Sequence, residues 1–288
     1  MTSSSSDSTG LPVTVVLPVL NEQVNLTAAL ESVQWASEIF VVDSGSTDGT
    51  IEIAEAHGAT VIQFVYQLGG PKKKAWSLRN LPFSHDWALY LDGDERIPEE
   101  LRKEIAGVLA TPMHDGYYMD REFFFRGKEL RSYRPDWNLR LFRHRLASIE
   151  DLGMHHLEGT GDNEIHEHFT LEGSTGFLKT PLLHNDYRGI GPWVDRHNKY
   201  AIWEAHLYRR LRDEPVSFAL ASVRDPTSRN RLIRRVWVRL PGRPMLRFLI
   251  WYFGKRAILD GWPGLQYAFL MAWYELIISF KVAELENR

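Results

Sequence analysis

Two carboxylates at positions i and i+2, Asp92 and Asp94, close the short apolar run Trp87 to Leu91. With the small Gly93 between them, both can turn inward and offer hard oxygen ligands to one divalent cation. Mg²⁺ or Mn²⁺ suits such a pair, because these ions stay partly hydrated and share oxygens with a diphosphate. A solvated acidic turn is the plain alternative for an isolated pair. Two rival motifs fail on the residues themselves. A haloacid-dehalogenase-type phosphatase wants Thr or Val where Arg96 stands, and an EF-hand wants Gly where Ile97 stands. Two more polar clusters follow apolar runs: Pro18 to Glu22, which contains Asn21, and Asp43 to Thr50, which contains Ser46 and Asp48. Taken alone, the second could be an Asx-rich helix cap.

The elements that must position these groups can be read from periodicity. Val13 to Leu17, Ile39 to Val42, Thr60 to Phe64 and Trp87 to Leu91 read as strands, and Val24 to Ala36, Ile51 to His57 and Lys72 to Leu81 as helices. Such alternation predicts a parallel α/β sheet. Ligands of open α/β sheets bind beyond the carboxyl ends of the strands. Asn21 and Glu22, Asp43 and Asp48, and Asp92 and Asp94 are therefore expected to converge on one cleft. From Gly116 to His184 the pattern changes to short aromatic and β-rich pieces, an α+β extension; Trp193 to Leu211 reads as a helix, and Gly264 to Glu284 as an apolar one.

Composition narrows the class. The 288 residues are 44% hydrophobic and 25% charged, which excludes a disordered or collagen-like chain. Lys and Arg total 34 against 37 Asp and Glu, so no global basic excess points to nucleic acid. The absence of cysteine rules out disulfides, thiolate metal sites and a cysteine nucleophile, and it fits a reducing compartment; the cytoplasm is the expected location. Residues 1–11, rich in Ser, read as a disordered leader without the apolar core of an export signal. The run from Gly261 is interrupted by Glu275, short of the roughly 20 residues of a membrane span.

Three segments together resemble a known family. Val15 to Glu22, Val41 to Thr50 and Leu91 to Glu95 look like the nucleotide-sugar half of family 2 glycosyltransferases with the GT-A fold. The resemblance covers about residues 12 to 110. It implies an α/β core with a mixed central sheet, followed by an acceptor-side extension (111–215, closing a catalytic domain over 12–215) and C-terminal amphipathic helices over 216–288. By the same resemblance Pro18, Glu22 and Asp43 would meet base and ribose, with Asn21 and Ser46 in the same loops, and Asp48 would shape the nucleotide pocket. Asp92 and Asp94 would hold nucleotide and metal. Arg134 to Arg143, Ile165 to Glu167 and Leu183 to Tyr187 are similar, more loosely, to the branch that glucosylates lipopolysaccharide inner core.

Family 2 enzymes usually invert the anomeric carbon, which needs a carboxylate to take the acceptor proton. The resemblance makes Glu167 the first choice of base and Asp136 the runner-up. His166 or His184 could complete the metal shell. Lys73, with Lys72 and Lys74, and Arg140, with Arg143, are candidates for phosphate contact; a solvated charge run and surface salt bridges are their alternatives. The expected donor is a nucleotide-sugar, UDP-sugars first, and the expected acceptor a glycan or lipid-linked hydroxyl. A catalytically silent nucleotide-sugar-binding scaffold is an alternative. So is a sugar-phosphate nucleotidyltransferase, although that class wants a Gly-rich basic loop where this chain has Leu20-Asn21-Glu22-Gln23.

One local charge imbalance remains. Arg224 to Arg256 carries ten basic residues against Asp225 alone, interleaved with Trp237, Trp251 and Tyr252. This composition suits a segment lying on the anionic inner leaflet at the cytoplasmic face. A packed terminal helix or a homodimer face with a solvated basic rim would read the same way.

Overall fold

The computed structural model describes residues 10–150, 153, 157, 159, 168–214 and 226–287, which fall into two compact units. The first comprises the described residues up to 150, Gly153 and 168–189; the second comprises Leu157, Gly159, 190–214 and 226–287.

The first unit is built on β1 (Leu11–Val19), α1 (Leu26–Glu31), β2 (Ala36–Asp43), α2 (Thr50–Ala56), β3 (Thr60–Gln63), α3 (Lys73–Asn80), β4 (Trp87–Tyr90), β5 (Glu95–Arg96) and α4 (Glu99–Ala110). It continues with β6 (Gly116–Met119), β7 (Arg121–Phe125), β8 (Lys128–Glu129), β9 (Asn138–Arg143), β10 (Ala147–Ile149), β11 (Phe169–Leu171), β12 (Thr175–Phe177) and β13 (Leu182–Asn185). The main sheet has the order β12-β6-β9-β4-β1-β2-β3. β1 is central and is covered on both faces. Val13, Val15, Leu17 and Val19 pack with Leu26, Leu30, Leu101 and Ile105, while Val16 faces Phe40, Tyr90 and Phe142 on the other side. Each such side chain, fully buried, is worth about 1.5–3 kcal/mol.

The sheet is mixed rather than wholly parallel. β1 runs parallel to β2 and β4, and β2 to β3, but β9 is antiparallel to both β4 and β6. Local alternation foretells the parallel half, whereas the reversed β9 comes from the extension and has no helix-crossover signature. Register does the positioning. Val19 lies opposite Asp43 and Val16 opposite Tyr90, so the segments after β1, β2 and β4 leave the sheet along one edge. A smaller sheet, β5-β13-β7-β8, sets His184 against Glu95, and β10 pairs with β11. Of the expected leader, Gly10 and Leu11 are described, and Leu11 already pairs with Ala36 in β1; residues 1–9 lie outside the described residues. α1 is shorter than the predicted helix because the chain turns at Ser32, whose hydroxyl donates to the Ala29 carbonyl and accepts from the Ile97 amide.

The second unit contains α5 (Ile190–Asp213), α6 (Pro226–Trp237), α7 (Arg243–Leu249) and α8 (Gly261–Glu286), with a wider helical turn at Ile250–Gly254. The expected domain boundary at 215 lies outside the described residues, and the division of the units at Gly189/Ile190 places α5 with the C-terminal helices. Ala201, Ala205 and Tyr208 of α5 pack on Ile278 and Val282 of α8 and on Val238. No helix among the described residues is long and apolar enough to cross a membrane.

The reason lies in α8 itself. Glu275 is fully buried, with Arg243 Nε 3.0 Å and Arg247 Nη2 2.8 Å away, and it also accepts from Trp237 Nε1. Arg234 and Arg235 pair with Glu204 and Glu214, and Arg239 donates to the carbonyls of Arg212 and Glu214. Arg243 and Arg247 thus face a buried acceptor, while Arg234, Arg235 and Arg239 are engaged by acceptors of the same unit and stay partly or wholly exposed; Arg224 lies outside the described residues.

Two outcomes follow for this unit. Glu275→Ala, which leaves two arginines without their buried anion, is expected to lower stability by about 3–5 kcal/mol in chemical denaturation. His197, stacked on Trp193 at 3.6 Å, has its pKa pushed down to about 4 by burial. Between pH 6.5 and 4 the unfolded chain then binds a proton that the folded chain does not. Stability should fall by up to about 3 kcal/mol as pH drops through that window, and His197→Phe should flatten the melting-temperature profile there.

Candidate active site

The loops after β1 and β2 are stitched together by their own polar side chains. Asp43, fully buried, accepts from the amides of Gly45 and Ser46 at 2.9 and 3.0 Å and from the Ser46 hydroxyl. Ser46 Oγ in turn accepts from the Asn21 amide at 2.8 Å, and Asn21 Oδ1 accepts from the Thr47 amide at 2.8 Å. Asn21 holds a left-handed backbone, φ 53°, which Asn tolerates better than most residues. Asp48 accepts from the Gln23 and Thr50 amides, and Thr50 Oγ1 accepts from the Glu22 amide at 2.8 Å. Lys73, buried, donates to the Val19 carbonyl at 2.7 Å and to Ser44 Oγ at 2.6 Å. Half-buried Pro18 lies opposite Val42. Asn21, Asp43, Ser46, Asp48 and Lys73 therefore fold one concerted loop pair at the sheet edge, which carries Glu22 into the interior.

Glu22 and Asp94 meet there. Glu22 accepts from Asn25 Nδ2 at 2.8 Å and pairs with Arg188 at 2.5 Å. Burial, reinforced by the neighbouring Asp94 charge, pushes its carboxyl up to about 8. Gly93 permits this approach, since a Cβ there would stand 2.9 Å from Glu22 Cγ and force that side chain to shift. Asp94 Oδ2 lies 3.4 Å from His184 Nε2 and 3.6 Å from Arg188 Nη2. Burial opposes charge on His184, but the Asp94 carboxylate outweighs it and lifts the imidazole above its ordinary range. Arg188 is gripped by both Asp186 oxygens, each at 2.8 Å, and Asn25 ties Asp186 and the Tyr187 amide to the β1 loop.

Asp92 faces a different set of partners. Its oxygens pair with Arg140 at 2.7 Å and Lys74 at 3.0 Å. Burial works against its charge, yet those two cations hold its pKa well below the usual carboxylate range. Arg140 also binds the fully buried Glu95 at 2.6 Å, and Arg121 joins Glu95 at 3.4 Å to Asp136, which accepts from Arg121 Nε at 2.7 Å. Arg143 pairs with Asp86 and Asp115 at 3.6 Å, the surface role weighed for it above.

The structure thus brings Glu22 and Asp94 together and keeps Asp92, Arg140 and Asp136 on one ion-pair chain. Glu167 and His166 lie outside the described residues. Asn25, Glu95, Arg121 and Arg188 were not singled out by sequence reasoning. Asp186 and His184 stood in a recognisable segment, but nothing local marks Arg121 or Arg188 as partners of acids so distant along the chain.

A cation held partly by a diphosphate fits the donors present. Asp94 offers a hard oxygen, and His184 beside it an imidazole nitrogen once a cation displaces its proton, and Mg²⁺ or Mn²⁺ needs few protein ligands when waters and phosphate oxygens supply the rest. Among the described residues no group of three acids or histidines is gathered closely enough to form a cage by itself.

The family model for glycosyl transferase family 2 matches residues 14–161, more than half of the chain. The chain belongs to glycosyl transferase family 2. The protein is therefore a glycosyltransferase and not a sugar-phosphate nucleotidyltransferase. It is 26% identical over 275 residues to the lipopolysaccharide core biosynthesis glycosyltransferase LpsC of Rhizobium meliloti, spanning 91% of each chain. An uncharacterized glycosyltransferase of Rickettsia typhi is 36% identical over 125 residues, 42% of this chain and 39% of that one, so this chain spans about two fifths of that relative. Solved structures are more distant. The mannosyltransferase PcManGT of Pyrobaculum calidifontis has a TM-score of 0.49 at 16% identity, over 94% of this chain and 87% of that one. S. aureus TarS in complex with UDP-GlcNAc has 0.48 at 15%, over 90% and 81%. Both values are too low to bear on donor or mechanism.

Arg140→Ala should strip Glu95 and Asp92 of their shared counter-charge. Its expected cost is about 3–5 kcal/mol of stability, read as a lowered denaturation midpoint, while Arg143→Ala should stay within about 1 kcal/mol of the parent.

Proposed function

We propose that the protein moves a sugar from a nucleotide-sugar, UDP-sugars first, to a hydroxyl of a glycan or lipid-linked acceptor in cell-envelope or lipopolysaccharide synthesis, with inversion at the anomeric carbon. The observation that carries this reading is the meeting of Glu22, Asp94, His184 and Arg188 beside the loops that follow β1 and β2. The stitched loop pair with Pro18, Asn21, Asp43, Ser46 and Asp48 supplies a rigid edge for the nucleoside. Asp94 and His184 would hold a divalent cation, with Asp92 near it but charge-paired. When bound, that cation would neutralise charge developing on the diphosphate leaving group. Arg188, fixed by Asp186 within reach of Asp94, adds a positive charge of the protein's own at the same place, and Lys74 and Arg140 keep Asp92 ionised. Asn25 holds Glu22 and Asp186 in register.

The base is a separate assignment. Displacement with inversion needs a carboxylate on the acceptor side. Glu167 remains the proposed base; Asp136, already held by Arg121, is the second choice. The kinship with LpsC supports a lipopolysaccharide-core type of acceptor and, with it, a place at the cytoplasmic face of a membrane.

Purified protein incubated with UDP-, GDP- and dTDP-sugars, with and without Mn²⁺, should release nucleotide from one donor class in a metal-dependent way. Asp94→Ala should lower turnover at least about 10²-fold. Glu167→Gln should depress kcat with acceptor at little change in donor affinity, and Asp136→Asn should not. Metal-independent release, or full turnover by Asp94→Ala, would defeat the proposal.

A further inference from the structure

We propose that the turn joining α7 to α8 is a lipid-docking tip that seats the second unit on an anionic membrane surface. This deepens the membrane placement above and rests on it only for the choice of leaflet. Between Leu240 and Tyr274 the sole carboxylate is Asp260, and it is buried. The cations there divide into two pairs. Arg243 and Arg247 turn inward to Glu275, whereas Lys255 and Arg256 stand exposed at the turn, Lys255 lying 4.2 Å over the Trp251 ring. Around them the turn presents Phe253, Ile258, Leu259 and Trp262 to solvent, with Leu259 76% and Trp262 67% exposed. Beside it, Met245, Phe248, Phe269, Trp273 and Leu276 line an apolar groove of about 430 Å³.

Large exposed apolar side chains mark an interaction surface, and their companions identify its partner. Two cations, an exposed Trp and no exposed acid complement a negatively charged interface whose interior is apolar. A second copy of the chain fits less well. Two-fold pairing through this face would set Lys255 and Arg256 against their own counterparts with no carboxylate between them. The groove is then cover for acyl chains displaced by the inserted tip.

The test is co-sedimentation of the full chain with vesicles of phosphatidylcholine, with and without phosphatidylglycerol, at low and high salt. Binding is expected only with phosphatidylglycerol and should weaken with salt. Leu259→Glu/Trp262→Glu should abolish it while leaving nucleotide release unchanged. Lys255→Gln/Arg256→Asn should weaken it about 30-fold; Asn suits the left-handed backbone at Arg256, φ 62°, so this variant keeps the test sound if the first misfolds. No binding, binding indifferent to phosphatidylglycerol, undiminished binding by both variants, or Leu259-dependent self-association in its place would overturn the proposal. Vesicle binding by Asp94→Ala separates the two readings. Docking without turnover by the parent protein would sink the catalytic proposal alone, and turnover without docking would sink this one alone.

Discussion

Charge burial at the carboxyl edge of the sheet is the constraint on which the first unit depends. Three parallel strands deliver acids to one edge, and carboxylates buried close together cannot all stay ionised without cations among them. Arg140 meets this need for Asp92 and Glu95, and Arg188 for Glu22 and Asp94. Both come from outside the parallel half. Arg140 is carried by β9, the reversed strand next to β4, and Arg188 follows β13, which pairs with β5 immediately after the acidic loop. The antiparallel additions therefore bring the counter-charge that lets the acids remain buried.

The acids are not equivalent once their partners are known. Asp92 is locked as a carboxylate between Arg140 and Lys74, whereas burial and Asp94 oppose charge on Glu22. One member of the Asp-Gly-Asp pair is thus engaged within the protein and the other is turned toward Glu22, His184 and Arg188. The division leaves one carboxylate fixed, shaping the loop, while its neighbour stands among groups of both signs.

The second unit solves a similar problem in an all-helical setting. Glu275 interrupts an otherwise apolar helix, and Arg243 and Arg247 converge on it. The basic composition of this region consequently overstates its surface charge. The turn between α7 and α8 combines exposed apolar side chains with two exposed cations, Lys255 and Arg256, a sharper feature than the ten-residue excess to which they belong.

Much was legible in the order of residues. Apolar runs broken by polar loops at β1, β2 and β4 determined the α/β class, the convergence of Glu22 and Asp94 on one edge, and the family, because strand periodicity and loop chemistry are local properties that each segment carries with it. Tertiary structure alone decided which acids are charge-paired, that β9 runs against its neighbours, that Asp92 and Asp94 face different partners, and that the arginines of α7 point inward. Those outcomes depend on pairing between residues such as Arg140 and Asp92, or Arg188 and Glu22, dozens to more than a hundred positions apart. Electrostatic partnership is set by distance in space and by burial, neither of which spacing along the chain records.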